Sequence, residues 1–333
     1  MNYNRGGDLM KEIKFTDIEG IKVGHAGNLD AATGCTVVIC EEGAVGGVDV
    51  RGGSPGTRET DLLKPENLVD RVHAVVLSGG SAFGLDAATG VMKYLEERGI
   101  GFDVQVTKVP IVCSAVLFDL NIGDYRIRPD FKMGYEACIN ATDKDCPNGN
   151  VGAGTGATVG KLLGPSRAMK GGLGSFAIQI GDLQVGAIVA VNALGDIVDT
   201  EAGKVIAGLL DEKGEKLIGT EAEMVKAYDK SRNLFSGNTT IGVVATNATF
   251  TKAQMNKIAS MAHNGYGRAI RPAHSIFDGD TIFALATGKV EADLNVVGFL
   301  AATVMERAIV NAVKSADSLH GYKAYKDLKK INI

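Results

Sequence analysis

The run GNTTIGVVATNA at residues 237–248 places a hydroxyl directly after a bend. Gly237-Asn238 is a turn-forming pair, and Thr239-Thr240 opens an apolar run that reads as a buried, rigid strand. In a strained turn the Thr239 hydroxyl attacks the Asn238 carbonyl, the acyl group moves from nitrogen to oxygen, and water hydrolyses the ester. The product is a chain that begins with Thr239. Such a residue carries nucleophile and base together, because a free α-amine has a pKa of about 8 and accepts the hydroxyl proton near neutral pH. No separate histidine is needed. Read alone, the same residues favour a hairpin turn followed by an ordinary threonine-rich strand.

Other residues have chemistry of their own. Asp278-Gly279-Asp280 leads into the apolar run TIFALATG, which puts two carboxylates at a loop-to-strand junction; by itself the triplet also fits a surface turn or a weak cation site. Lys161 ends the glycine-rich run GNVGAGTGATVGK, but a phosphate loop fails because Thr155 and Leu162 stand where GxxxxGK[ST] needs glycine and a hydroxyl. Gly152, Gly154 and Ala157 make only a weak dinucleotide fingerprint. Asn192 closes a predicted buried strand, where its amide can donate to a developing oxyanion without bringing charge, or simply end the strand in a turn. Gly79, Gly80 and Ser81 lie between a strand and a helix, where free backbone amides can contribute to binding; Ser81 is out of register for GxSxG. Arg51 and Arg58 flank GGSPGT as carboxylate binders or structural salt bridges. His25, His73, His263 and His274 show no metal-ligand spacing and read as structural.

The elements that must position these groups are short. Runs at Cys35–Cys40, Ala74–Ser78, Phe176–Ile180, Gly186–Asn192, Ile241–Thr246 and Thr281–Thr287 read as strands. Helical periodicity falls at Phe83–Glu97, Lys252–Arg268 and Val296–Lys314. Without strict βαβ alternation, a layered α/β sandwich is expected over a doubly wound sheet. The polar stretch from Asp211 to Ser236 reads as a helix followed by a mobile connection into Gly237-Asn238.

Composition bounds the partners. The 333 residues are 45% hydrophobic, enough for a large core, and the net charge of −4 with scattered lysine and arginine argues against nucleic acid or an anionic membrane. Five cysteines without CxxC spacing read as reduced thiols in a cytoplasmic protein. The N-terminus has no apolar leader, and no stretch is expected to reach the length of a membrane span. Forty-four glycines against seven prolines imply many tight turns and close backbone approaches.

Seven segments in one order, VGH at 23–25, TGCTVV at 33–38, GGVDVRGGSPGTRETDLL at 46–63, VHAVVLSGGSAFGLDAATGV at 72–91, GNVGAGTGATVGK at 149–161, NTTIGVVATNA at 238–248 and RPAHSIFDGDTIFALATG at 271–288, are spread along the chain from residue 23 to residue 288. They resemble the L-aminopeptidase/D-esterase family, the P1 or DmpA-like peptidases, and are similar to β-aminopeptidases and nylon-oligomer endohydrolases. The resemblance implies a four-layer αββα sandwich of the N-terminal-nucleophile type, a single domain over 1–333, cut into an associated larger chain, 1–238, and smaller chain, 239–333. It implies Thr239 as nucleophile, with Lys161, Asn192, Asp278 and Asp280 beside it. The aspartate pair follows the nylon-oligomer hydrolases, whereas aminopeptidase relatives carry Ser and Glu. Phe118 falls near the position of an active-site tyrosine in relatives, so a phenolic hydrogen bond is missing.

The expected activity is hydrolysis of small peptides, amino-acid amides or ω-amino-acid oligomers, with no cofactor or metal. An acyltransferase of the ornithine acetyltransferase type and an uncleaved, non-catalytic paralogue are the alternatives. A homo-oligomer of four or more subunits is expected. On a denaturing gel the 34.8 kDa chain should give two bands, the smaller of roughly 10 kDa and beginning with Thr239 on N-terminal sequencing; one full-length band would favour the paralogue.

Overall fold

A computed structural model of the protein describes residues 10–229 and 237–331, the side chains of 329–331 excepted. Ten strands form one bent sheet: β1 (Lys11–Ile13), β2 (Lys22–Asn28), β3 (Thr33–Val50), β4 (Thr57–Arg58), β5 (Arg71–Ser78), β6 (Val112–Val116), β7 (Gly172–Ile180), β8 (Leu183–Asn192), β9 (Thr239–Ala248) and β10 (Thr281–Val290). Their order is β1-β7-β8-β9-β10-β3-β5-β6-β4, with β2 on β3. Strand β3 is the hinge of this architecture. Thr33–Ile39 pairs with β2 and β5, the register breaks between Ile39 and Ala44, and Val45–Val50 runs antiparallel to β10. One strand thus serves two layers, which face each other.

The central strands read as continuous apolar runs because both their faces are buried. In β9, Ile241, Val243 and Ala245 join Ile188, Phe283 and Leu285 against Val38, Val75 and Leu77 of the opposite layer. Val244 faces the other way with Val185, Val189 and Ile282, under helices α3 (Lys252–Ala269) and α4 (Leu294–Ser315). Helices α1 (Ala87–Glu96) and α2 (Phe131–Ile139) cover the far layer over Val37, Ala74 and Val76. Helix, sheet, sheet and helix make the expected αββα sandwich.

All six expected strands and all three helical stretches lie on elements of the same type, the first helix opening with a 3-10 segment at Ser81–Asp86. Helix α2 escaped the periodicity because Gly134 interrupts it; that glycine lets the helix press on the Ala87 carbonyl. Of the polar stretch, Thr220–Lys226 is helical, and the expected mobile connection at 230–236 lies outside the described residues. One expectation is corrected. The 22-residue helix α4 is long and apolar enough to span a membrane, yet 67% of an apolar 18-residue stretch of it is buried, with Val304, Met305, Ala308 and Ala312 in the outer core.

Close approach of sheet and helix fixes Gly47. A Cβ there would lie 2.3 Å from the main chain of Met255 and Asn256 in α3, while Asn256 Oδ1 accepts the Val48 N–H at 3.0 Å. Gly47→Ala should therefore destabilise by about 1–3 kcal/mol. Gly267→Ala, on the open face of the same helix, should be neutral or stabilising by up to about 1 kcal/mol. Thermal midpoints of the two variants check the contrast.

Candidate active site

Strand parity decides where Thr239 points. It shares a face with Ile241 and Val243, so its side chain enters the space between the two sheet layers at the end of β9, and it is buried. On one side Thr239 pairs with Asn192, the last residue of β8. On the other, the strand continues past its ladder with β10 into a bridge between Asn238 and Asp278. The turn that delivers it requires glycine at 237. There φ is +52°, and a Cβ would fall 2.2 Å from the Phe118 ring.

The peptide between Asn238 and Thr239 is gripped at its oxygen. The Asn238 carbonyl accepts the Gly279 N–H at 3.0 Å and also the Thr239 hydroxyl. Gly279 approaches so closely that a Cβ on it would stand 2.7 Å from the Thr239 Oγ. The Thr239 hydroxyl and the Gly279 N–H thus donate to one carbonyl oxygen, that of the peptide immediately before Thr239.

Lys161 and Asn192 form the next layer. Lys161 Nζ donates to Asn192 Oδ1 at 2.7 Å, to the Asn192 carbonyl at 3.0 Å and to the Gly237 carbonyl at 3.3 Å. The Asn192 amide donates to the carbonyls of Phe118 at 3.0 Å and Gly237 at 3.3 Å. The ordinary expectation for a lysine after a glycine turn, a solvated side chain, is overturned: Lys161 is buried, and desolvation lowers its pKa to about 7 against the opposing pull of Asp278, Asp119 and Asp280. Burial, then the charge of Asp280, pushes Asp278 up to about 6. Both groups with shifted proton affinities lie on segments that adjoin Thr239, Lys161 on Asn192 and the Gly237 carbonyl and Asp278 in its bridge with Asn238.

The aspartates sit at the loop-to-strand junction expected of them, and each accepts a main-chain N–H there. Asp280 accepts the amide of Thr240, at 2.8 Å, rather than reaching the Thr239 amine or hydroxyl, and Asp278 accepts the Ser275 N–H at 2.7 Å. In the continuous chain the Thr239 nitrogen is still a peptide nitrogen, and the carboxylates brace its surroundings.

A cavity of about 150 Å³ opens on Thr239, lined by Pro55, Ser81, Val116, Phe118 and Phe277 among others. Ser81 and Phe118 therefore reach the site, whereas Gly79 and Gly80 stand behind it. Their amides are also spoken for: Gly79 N–H goes to the Gly34 carbonyl, Gly80 N–H to Asp119 Oδ1 at 2.7 Å, and Ser81 N–H to the Leu117 carbonyl. Arg51 turns to Asp49 and Ser260, and Arg58 to Thr89 and Met92, so neither lines the cavity. Gly152 and Gly154 pack against Thr36 and Leu173, which gives the dinucleotide-like spacing a structural reason. Gly279, Asp119 and Lys170 were not legible as site residues. Asp119 is buried beneath the Gly79–Ser81 loop and accepts Thr33 Oγ at 2.8 Å; Lys170, wholly buried, ties the carbonyls of Gly154 and Ala157. A charged residue inside an apolar run, as in AVLFDL and RAMKGGLG, was their one visible sign.

The fold is the αββα sandwich of the Ntn-hydrolase type. The chain belongs to Peptidase family S58, whose profile matches residues 14–326. It is 43% identical to an uncharacterized aminopeptidase of Mycobacterium leprae, over 93% of this chain and 92% of the relative. It is 30% identical to a 6-aminohexanoate-oligomer endohydrolase of Kocuria sp., over 90% of this chain and 85% of that one. The solved L-aminopeptidase D-Ala-esterase/amidase of Ochrobactrum anthropi, described as a variant of the Ntn hydrolase fold, superimposes with a TM-score of 0.71 at 18% identity, covering 96% of this chain and 93% of its own. The protein is a hydrolase acting on amide bonds.

The buried lysine gives the fold a pH dependence. An unfolded lysine holds its proton to about 10.5, whereas folded Lys161 releases it near 7, so from pH 7 upward the unfolded chain binds more protons and stability rises. In a Thr239→Ala background, the parent should gain stability relative to Lys161→Met between pH 7 and 9, by at most about 1.4 kcal/mol per pH unit. Urea unfolding at pH 7, 8 and 9 measures it; a constant difference would mean that Lys161 keeps its charge.

Proposed function

We propose that the chain cleaves itself between Asn238 and Thr239 and that the freed Thr239 is the nucleophile of an amide hydrolase. The observation that carries this reading is the Thr239 hydroxyl lying on the Asn238 carbonyl while Gly279 N–H holds the same oxygen. Attack forms the bond from Oγ to the Asn238 carbon. The carbon–nitrogen bond then breaks as the hydroxyl proton is transferred, through the buried acid–base groups, to the Thr239 nitrogen. Water hydrolyses the ester and leaves an Asn238 carboxylate and a Thr239 bearing free amine and hydroxyl.

In turnover the amine takes the hydroxyl proton, Oγ attacks the substrate carbonyl, and the oxyanion is held by the donors that hold main-chain carbonyls in the uncleaved chain: Gly279 N–H, Lys161 Nζ and Asn192 Nδ2. The departing amine takes a proton, and water releases the acid from the acyl-enzyme. The two chains stay together because 239–333 supplies β9 and β10 to the middle of the sheet and α3 and α4 to its outer core. The substrates are short peptides, amino-acid amides and linear ω-amino-acid oligomers, with an uncharged acyl portion against Pro55, Phe118 and Phe277. The aspartate pair and the endohydrolase relative support the oligomers, and the aminopeptidase relatives support the peptides.

Thr239→Ala should remain one chain by intact mass and lose at least about a thousandfold in amide hydrolysis, while Thr239→Ser should still be cleaved and active. The assay is release of free amine from alanine amides, dipeptides and 6-aminohexanoate oligomers. Hydrolysis by the alanine variant at the parent rate would remove Thr239 from the reaction.

A further inference from the structure

His274 lies four residues before Asp278 and six before Asp280, with a left-handed backbone at φ +59°. Its ring packs edge-on to His263, centroids 4.8 Å apart, and nearly parallel to Tyr266, 5.9 Å away at 26°. Burial holds His263 well below the ordinary histidine range, so a neutral ring faces His274 on that side. His274 Nδ1 stands 2.9 Å from Asp280 Oδ2, and because a carboxylate only accepts, Nδ1 carries the hydrogen. The same oxygen accepts the His274 main-chain N–H at 3.1 Å, and Oδ1 accepts the Thr240 N–H at 2.8 Å. Asp280 is thus strung between one imidazole and the residue that follows the nucleophile. His274 Nε2 is buried and has no hydrogen-bond partner among the described residues, so the polar work of the ring is directed at Asp280.

Resting on the reading of Thr239 as nucleophile, we infer that His274 is a positioning residue: it locks the Asp280 carboxylate, which pins the Thr240 amide and so holds the Thr239 main chain in the geometry that reacts. Two carboxylate oxygens with three N–H donors leave Asp280 one orientation. Without the imidazole, Oδ2 keeps only the main-chain donor, and the carboxylate is free to turn away from Thr240. The left-handed backbone makes a clean test available. Glycine keeps that conformation and removes the donor, while asparagine tolerates it and places an amide N–H where Nδ1 stood.

The experiment compares the parent protein, His274→Gly, His274→Asn, His274→Gln and Thr239→Ala. It reads the fraction of uncleaved chain by intact mass, kcat and KM on alanine p-nitroanilide and on the linear 6-aminohexanoate trimer, and the thermal midpoint. His274→Gly should accumulate uncleaved chain and lose roughly 10- to 100-fold in kcat with KM within about threefold. His274→Asn should restore both to within about threefold of the parent, and added imidazole should speed the glycine variant. Parent-like cleavage and kcat in His274→Gly, or an asparagine variant as slow as the glycine one, overturns the inference. Where the glycine variant does not melt cooperatively, Asn against Gln decides, since glutamine extends its amide beyond the Nδ1 position: equal rates overturn it, and a slow glutamine variant supports it. Thr239→Ala that is cleaved or still hydrolyses amides overturns the reading of the nucleophile instead, whatever the histidine variants do.

Discussion

The first residue of strand β9 is held on every side, and the rest of the site follows from that confinement. Asn192 pairs with Thr239 across one edge, the Asn238–Asp278 bridge extends the other, and the Gly279 N–H fixes the carbonyl between them. A peptide in an exposed hairpin turn would relax away from its own hydroxyl. Here the main chain on both sides is committed to hydrogen bonds, so the hydroxyl and carbonyl stay together. The same crowding explains the glycines at 237 and 279: one must lie flat on the Phe118 ring, and the other must bring bare backbone against Thr239.

Charge is brought into this confined space at a cost of desolvation, and hydrogen bonds offset it. Lys161 has three acceptors within reach, Asp280 three donors, and Asp119 two. Where that compensation falls short, proton affinities shift. Lys161 becomes easier to deprotonate, and Asp278 and Asp119 become harder to ionise. The residues that can move protons near neutral pH are therefore those that the fold has taken out of water. Lys170 shows the same physics away from Thr239: burial brings it to about 7 as well, and its ammonium ties the glycine loop to its surroundings.

The four layers make the site possible. Between the sheets the core is apolar and continuous, and Thr239 stands at its edge, where Phe118, Val116 and Phe277 open into a small cavity. Behind the same strand, Thr240 and Gly242 face α3, so the side of the sheet that carries the helices also carries Tyr266, His263 and His274. One strand connects a small apolar cavity on one face with a polar, aromatic support on the other.

Much of this was present in the sequence as pattern. The buried runs around Val189, Val243 and Phe283 announced strands covered on both faces, and the turn before Thr239 announced a hydroxyl held after a bend, because those signals depend on residues adjacent in the chain. The identity of Asp278, Asp280, Lys161 and Asn192 as neighbours of Thr239 came from the resemblance, not from spacing. What the chain alone did not reveal depends on contacts between distant segments. The Gly279 N–H is a donor only because β10 starts beside β9. Asp119 and Lys170 look like stray charges until burial and the Gly79–Ser81 and Gly152–Gly156 loops close around them. Arg51 and Arg58 read equally as carboxylate binders or structural salt bridges until the fold paired Arg51 with Asp49 and Ser260 and set Arg58 against Thr89 and Met92. His274 read as merely structural because its partner is six residues away along a turn whose shape no local rule predicts. Sequence determined which segments would be buried and where a hydroxyl would follow a bend; tertiary structure decided which charges would share its low-dielectric surroundings, because solvation and hydrogen-bond partnership are properties of position in space.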